Sequence, residues 1–547
     1  MYHEIFQAAV KENPESIAAQ IEDGAALTYA QLELQSNLLA QHLIKNGVKP
    51  GDSVAVFLQR TLLPLIVKLA ISKAGGVYVP VTPQQTPDQV KTIINETPKL
   101  THFIHESKLY GSTKSSLNKA DGISALLKDK DIQTLDAEAI VNSFEQTECK
   151  APDLEGLSRD SLAYIVHSSG STGKKKGIIH KHNGFAYWAR VLSNHIPDIK
   201  KIEHVSASVS HDFDAQFAEE ITAFVAGATL HITSEATRKD HIQFAEFIKA
   251  HKISDIMISP GMLNIYTPTE LAEMQKAGLR RVSVTGSSCK EETYQKCFSA
   301  GLIVFNCYGP TEIFWGLSMI DASTKPFING RAPIEIPDTT LSGKNPVSVA
   351  ILAEKNLTTK DGAQGELVVA TDFLTQGYTN ESIKNRLYTD PATKITYYRT
   401  GDKFLLKDGV LHYQTRISKK AHVKINSQFV SLEGVENAME KFDGIVNACV
   451  VVPSDRPIDE PVLVAFYSAS KRIKETALRE HLMKSLGQAS TPAFFTKLKK
   501  MPLNSSGKLD RSTLSKHALP TTSLHLDSKR TIPEPSTLLE SELIKIW

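Results

Sequence analysis

The alternation of short apolar strands with helices constrains this chain more than any other feature. Ser53–Leu58 has strand composition, Thr61–Lys73 reads as a helix with Pro64 in its first turn and Gly75 past its end, and Val77–Val81 reads as a strand again. Strands separated by single helices require a mainly parallel sheet. The pattern recurs. His3 to about Lys11 has helical periodicity, and Ala26–Glu33 passes from a short strand into a helix running to Ile44. After Asn183, an expected N-cap, a helix runs to about Leu192; Thr222–Thr233, Gln243–Ala250, Asp255–Ile258, Thr269–Ala277, Val282–Thr285 and Ile303–Cys307 continue the alternation. From Ser318 to Tyr413 short strands follow one another without long helices, which points to a β-rich lobe. A smaller helix and strand mixture begins near Val435, and 106–154 reads as surface elaboration.

At 547 residues the chain is too long for one core, so several globular units are expected. The formal net charge is +2, so no global field points to nucleic acid or to a membrane. Cys149, Cys289, Cys297, Cys307 and Cys449 are odd in number and lack CxxC or Cys/His spacing, which argues against a disulfide framework or a zinc site. A reducing, cytoplasmic setting is the expectation. The start has no signal-peptide layout, and no apolar run approaches the roughly 18 residues of a membrane span.

Chemistry concentrates first in Ser168–Gly177, SSGSTGKKKG, directly after the apolar run Leu162–Val166. Glycines and hydroxyls after a strand make a tight loop that can turn backbone N–H groups onto a polyphosphate, with lysines as countercharge. It is not a Walker A loop, because the Gly-Lys-Ser/Thr ending is missing. On composition alone, a phosphate grip and a solvated basic loop are evenly matched.

Further strings carry a resemblance. HEIF, LTYAQL at Leu27, KAGGVYVPV at Lys73, the Ser168–Gly177 loop, HDFDA at His211, NCYGPTE, GELVV at Gly365, YRTGD at Tyr398 and NSSGKLDR occur in the order found in the adenylate-forming superfamily. The chain resembles an adenylation domain of a nonribosomal peptide synthetase over nearly its full length. The resemblance implies an α/β fold: a large multi-lobed N-terminal domain, with two parallel-sheet lobes and a β-rich lobe, and a small mobile α+β C-terminal domain. The implied division is 1–415 for the core, 416–518 for the small domain, 519–535 for a Pro/Thr/Ser-rich linker, and 536–547 for the truncated start of a peptidyl carrier domain, where Thr537 and Glu540 form a capping-box pair.

The same resemblance assigns roles. ATP, Mg²⁺ and a phosphopantetheine on the partner carrier domain are the implied cofactors. Ser168, Ser169, Gly170, Ser171, Thr172, Gly173 and Lys176 form the phosphate loop, with Ser169, Ser171 and Thr172 toward the β and γ phosphates. Thr311 corresponds to a phosphate contact and Glu312 to the Mg²⁺ ligand, a carboxylate suited to that hard cation. Tyr308 is expected to stack on adenine with Asn306 near its amino edge; Gly286 and Gly309 complete the nucleotide set. Asp402 corresponds to the residue that holds both ribose hydroxyls, Arg416 to a ribose or phosphate contact at the hinge, and Lys508 to the adenylation lysine.

Asp214 corresponds to the partner of an amino-acid α-ammonium; read without the resemblance, it could instead cap the helix that follows. The pocket positions carry over as Ala215, Ala218, Gly261, Ser283, Thr285, Cys307, Trp315 and Gly316, with Lys508 on the substrate carboxylate. Apart from Asp214 and Lys508 this lining is uncharged, so a neutral amino acid of medium or large size is expected, with Ala218, Gly261 and Gly316 leaving room and Trp315 filling some of it.

Three departures stand against the family pattern. The thiolation loop reads Lys424-Ile425-Asn426-Ser427 without the usual glycine, the hinge position falls on Ser418, and Lys175 replaces the proline of the phosphate loop. An acyl-CoA ligase of the same superfamily and a catalytically degenerate docking module are the competing readings.

Overall fold

The computed structural model describes residues 1–85, 87–107, 123–128, 130–169, 175–196, 198–286, 289, 291–328, 332–336, 347–354, 356–380, 382–417, 422–425, 428–453, 461–499, 501–502 and 511–516. The expected βα alternation is present. Strands Ser53–Phe57, Val77–Val81 and Leu100–His105 pair in parallel, and Gln133–Asp136 extends that sheet at one edge. Its other side continues through Leu162–Ser169, Lys175–Lys181 and Gly377–Tyr378. Helix Leu63–Lys73 carries Pro64 in its first turn and ends before Gly75, whose φ of 73° is the left-handed conformation glycine tolerates.

A second sheet runs Ser318–Asp321, Ile303–Tyr308, Arg281–Val284, Asp255–Ile258, His204–Ala207, Thr229–Ile232, Ile17–Ile21, Ala26–Thr28. Its central pairs are parallel and its two outer pairs antiparallel. The β-rich segment forms a third, antiparallel sheet from Pro333–Ile334, Val410–Arg416, Thr396–Lys407, Gln364–Thr371, Val347–Ala353 and Asn356–Thr358. Beyond it come the hairpin His422–Ile425/Gln428–Ser431 and a three-stranded sheet Ile445–Val451, Val464–Ala469, Phe494–Lys497 under helices Leu432–Glu440 and Glu475–Leu486. This is the α/β class expected, with a separate small α+β core around Val435, Met439, Val450, Ala465, Leu478 and Leu482.

Several local expectations change. The strand read as Leu162–Val166 continues to Ser169, and Lys175–Lys181 returns antiparallel with Ser168 opposite Lys176 and Ser169 opposite Lys175. The ends of the SSGSTGKKKG stretch are therefore a β-ladder. Thr222 belongs to helix Gln216–Ala226, so the strand read as part of Thr222–Thr233 is only Thr229–Ile232. Asn183 is not the N-cap. It is the first residue of helix Asn183–His195, and its amide donates at 2.5 Å to the Asp372 carbonyl, a link to the third sheet. The 106–154 segment contributes more than surface, because Gln133–Asp136 joins the sheet and Ala137–Asn142 is a helix capped by Asp136. The linker, the carrier-like helix, Asn426, Ser427 and Ser418 lie outside the described residues.

Candidate functional site

Helix Gln216–Ala226 is buried along nearly its whole length, and the residues just before it are held from several sides. The Glu219 carboxylate accepts from the Ser208 and Val209 amides at 2.9 and 3.0 Å. The Arg60 guanidinium donates to the Thr233 and Val209 carbonyls at 2.9 and 2.8 Å and also bonds the Ala207 carbonyl. Gln85 donates to Asp212 at 3.1 Å, and the Gln216 amide reaches back to the His211 carbonyl. Behind the helix, the buried Lys68 ammonium donates to Gln216 at 2.6 Å and Glu220 at 2.5 Å, while the Tyr2 hydroxyl takes the other Glu220 oxygen at 2.5 Å.

Asp214 stands in this frame completely buried; among the described residues neither of its carboxylate oxygens accepts a hydrogen bond at full geometry, although the Thr311 hydroxyl and the Ala215 amide lie close. It does not cap the helix; the capping position falls on Ala215, which supplies no side-chain bond. Burial pushes the carboxyl up to about 7, opposed by the nearby Thr311 hydroxyl and reinforced by the Glu312 charge. A buried carboxylate that meets only neutral donors is costly while ionised, so the site favours a cation against it.

Thr311 and Glu312 occupy a single 3₁₀ turn, Thr311–Ile313, after strand Ile303–Tyr308. Segment 375–379 stitches this turn to the strand of the phosphate loop. The Thr375 amide donates to the Glu312 carbonyl at 2.9 Å, and its hydroxyl donates to the Ile179 carbonyl at 2.7 Å. Tyr378 pairs with Ile178, and the Gly177 amide donates to the Thr379 hydroxyl at 3.1 Å. A Cβ on Gly177 would fall 2.6 Å from the Thr379 methyl and 2.8 Å from the His167 ring, so a residue without a side chain permits this approach. As a result the Tyr378 hydroxyl donates to Glu312 Oε1 at 2.7 Å, and Lys176 Nζ lies 3.8 Å from the same oxygen.

Across the site, the Tyr308 hydroxyl donates to Asp402 Oδ2 at 2.9 Å, and its ring meets Phe404 edge-on at 5.2 Å. Asn306, next but one before it, is committed within the fold: its amide oxygen accepts from Tyr294 at 2.9 Å and its amide nitrogen donates to the Pro333 carbonyl at 2.8 Å. Asp402 pairs along the ladder with Arg416, of which only the backbone position is described. Gly286, at a φ of 94°, follows Thr285, whose amide donates to the Ile258 carbonyl at 3.2 Å.

Among the pocket positions, Ala215, Ala218 and Ser283 are buried, Cys307 and Thr285 are half-buried, and Gly261 lies in helix Pro260–Ile265. One expectation is corrected here. Gly316 does not leave open room, because a Cβ there would overlap the Trp188 ring. Trp315 is buried, stacks on Phe217 at 5.8 Å and meets Trp188 edge-on at 6.1 Å. Gly170, Ser171, Thr172, Gly173 and Lys508 lie outside the described residues, and for Ser168 and Ser169 only the strand positions are described. The structure thus brings Asp214, Thr311, Glu312 and Lys176 to one place, with Tyr308 and Asp402 joined to each other. Sequence reasoning missed Tyr378, Trp188 and Lys68. Trp188 and Lys68 sit in ordinary apolar helix patterns, and Tyr378 carries only the faint signal of a Gly-Tyr pair in a polar loop.

A family model described as AMP-binding enzyme matches residues 6–379. Tyrocidine synthase 1 of Brevibacillus parabrevis is 27% identical over 553 residues, covering all of this chain and 47% of that protein. The chain spans about half the length of that relative. Among solved structures, NpsA-ThdA, an artificially fused adenylation-PCP di-domain from Klebsiella oxytoca, superposes with a TM-score of 0.74 at 22% identity, covering 90% of this chain and 93% of that one. The o-succinylbenzoate CoA synthetase MenE of Bacillus subtilis superposes with a TM-score of 0.73 at 18% identity, covering 93% and 98%.

Proposed function

The chain belongs to the AMP-binding enzyme family, and from that premise we propose that it activates a neutral amino acid with ATP, releasing pyrophosphate. The observation that carries the amino-acid reading is Asp214: a fully buried carboxylate that faces neutral donors and the Glu312 charge, with no cation against it among the described residues, next to the Thr311–Glu312 turn. A substrate α-ammonium there supplies the missing charge, and the substrate carboxylate is then directed toward the turn.

In the reaction, a carboxylate oxygen of the amino acid attacks the α-phosphorus of ATP. A new P–O bond forms, the bond from that phosphorus to the α,β-bridging oxygen breaks, and pyrophosphate leaves with the bridging oxygen. The chain's task is alignment and charge stabilisation. Tyr308 and Asp402 hold the nucleoside, Thr311 and the Ser168–Gly173 loop with Lys176 hold phosphates, and Lys508 bridges the substrate carboxylate and the nucleotide. Among the described residues no group of three or more His, Cys, Asp or Glu side chains could hold a metal ion. Glu312 as a lone carboxylate fits Mg²⁺, which keeps waters and binds few protein ligands beside nucleotide phosphates. There Mg²⁺ would supply neutralisation of phosphate charge.

The second half-reaction we propose is transfer to a carrier thiol: a thiolate sulfur attacks the acyl carbon, a C–S bond forms, the C–O bond to AMP breaks and AMP leaves. The carrier domain following residue 535 and a hinge between 1–415 and 416–518 belong to this reading. The likeness to MenE supports the fold and is equally compatible with an acyl-CoA ligase, so Asp214 is what favours an amino acid. The test is pyrophosphate exchange over a panel of amino acids and simple carboxylic acids. Strongest exchange with a neutral amino acid supports the proposal. Strongest exchange with lysine, glutamate or an acid lacking the ammonium overturns it, and preferred transfer to free coenzyme A over a carrier protein overturns the second step.

A further inference from the structure

The Tyr378 side chain serves two charges at once. Its hydroxyl donates to Glu312 Oε1 at 2.7 Å, and its ring lies under the Lys176 ammonium, 3.7 Å from the nitrogen to the ring centroid. Lys176 and Glu312 are themselves 3.8 Å apart and both mostly shielded from solvent, at 14% and 15% side-chain exposure. A desolvated ammonium over an aromatic face and a hydroxyl on a carboxylate are both stronger than their exposed counterparts. The main chain fixes this arrangement. Gly377 and Tyr378 pair with Ile179 and Ile178 at the edge of the sheet, and Thr375 binds the Glu312 turn and the Ile179 carbonyl together. The Tyr378 backbone is thereby held at a set place relative to both partners.

We infer that Tyr378 is a positioning residue for nucleotide and metal: its ring places the Lys176 ammonium for phosphate, and its hydroxyl orients the Glu312 carboxylate for the divalent cation. This rests on the proposed roles of Lys176 and Glu312. The two duties are chemically separable, because phenylalanine keeps the ring and loses the hydroxyl, whereas leucine loses both.

The experiment is calorimetric binding of ATP to the full chain, first in EDTA and then in rising Mg²⁺, for wild type, Tyr378→Phe, Tyr378→Leu, Lys176→Ala and Glu312→Gln, with circular dichroism melts to confirm folding. Tyr378→Phe should raise the Mg²⁺ concentration for half-maximal tightening about fivefold while leaving affinity in EDTA unchanged, the effect of one lost hydrogen bond. Tyr378→Leu should also weaken binding in EDTA, in the direction of Lys176→Ala, by about three- to fivefold. Tyr378→Phe with wild-type Mg²⁺ dependence, or with equal losses in EDTA and Mg²⁺, overturns the inference. If instead Glu312→Gln leaves the Mg²⁺ dependence intact, or Lys176→Ala leaves affinity in EDTA intact, the underlying assignment fails on its own. Should Tyr378→Leu not fold, the phenylalanine arm still decides.

Discussion

The Tyr308 hydroxyl donates to Asp402 Oδ2 at 2.9 Å across 94 residues of sequence, closing the gap between strand Ile303–Tyr308 and strand Thr396–Lys407. Asp402 is buried, so this bond both orients the carboxylate and offsets part of its desolvation.

Removing the hydroxyl with Tyr308→Phe should therefore destabilise the protein by about 1.5–3 kcal/mol, the range for a hydrogen bond to a charged group. The apparent KM for ATP should rise while that for the amino acid stays fixed. Thermal melts and pyrophosphate exchange at varied ATP check both. An unchanged ATP dependence would show that Asp402 is held adequately by the ladder and its neighbours alone.

Asp214 gives a pH dependence with a defined sign. Its folded-state ionisation lies at about 7, above the ordinary 3.8, so ionising it costs the fold little at acid pH and progressively more from pH 4 to 7. Asp214→Asn should raise the melting temperature at pH 8 more than at pH 5 when no substrate is present. In activity the order reverses. The amino-acid KM of the wild type should fall as pH rises through about 7, as the carboxylate ionises to meet an ammonium, and the asparagine variant should lose that dependence together with most of its affinity.

Gly309 and Gly301 offer a matched pair. A Cβ at Gly309 would overlap the Trp315 carbonyl and Leu317 amide, which are backbone and cannot swing aside, whereas at Gly301 the nearest atom is the end of Gln275 at 3.9 Å. Gly309→Ala should lose about 3 kcal/mol or more, or fail to fold. Gly301→Ala, whose φ is 77°, should lose about 1 kcal/mol from backbone strain alone. Chemical denaturation of the two variants measures the difference.

The Lys68–Glu220 pair predicts non-additivity. Both side chains are buried, and burial lowers the Lys68 ionisation point against the opposing pull of Glu220. Lys68→Met alone should cost about 3–5 kcal/mol because it leaves a buried charge uncompensated, as should Glu220→Leu, while the double variant should recover much of that loss. A double-mutant cycle on unfolding free energy tests this, and strict additivity would show the pair is already relaxed by water.

Much of the site could be read along the chain because its parts are local. A glycine-hydroxyl loop after a strand, a Tyr-Gly-Pro-Thr-Glu turn and an aspartate before an apolar helix keep their chemistry in short strings, and the strands Val77–Val81 and Asp255–Ile258 end where composition placed them. Boundaries drifted where a neighbour outside the string decided them. Asn183 has good capping chemistry, yet its amide is taken by Asp372 from another sheet. Gly316 has no side chain, yet the space it spares is filled by Trp188.

By itself the sequence determined the α/β class, the order of the motifs and the kinds of group available: hydroxyls and lysines, a lone carboxylate after Thr311, an aspartate before the central helix. Those follow from periodicity and residue type, which act over a few positions. Only the tertiary structure decided which groups meet. Tyr378 reaches Glu312 across 66 residues, and Tyr2 reaches Glu220 across 218. Such pairings depend on sheet order and strand register, and a shift of one residue would turn Tyr378 to the opposite face of its sheet and part it from both charges it holds.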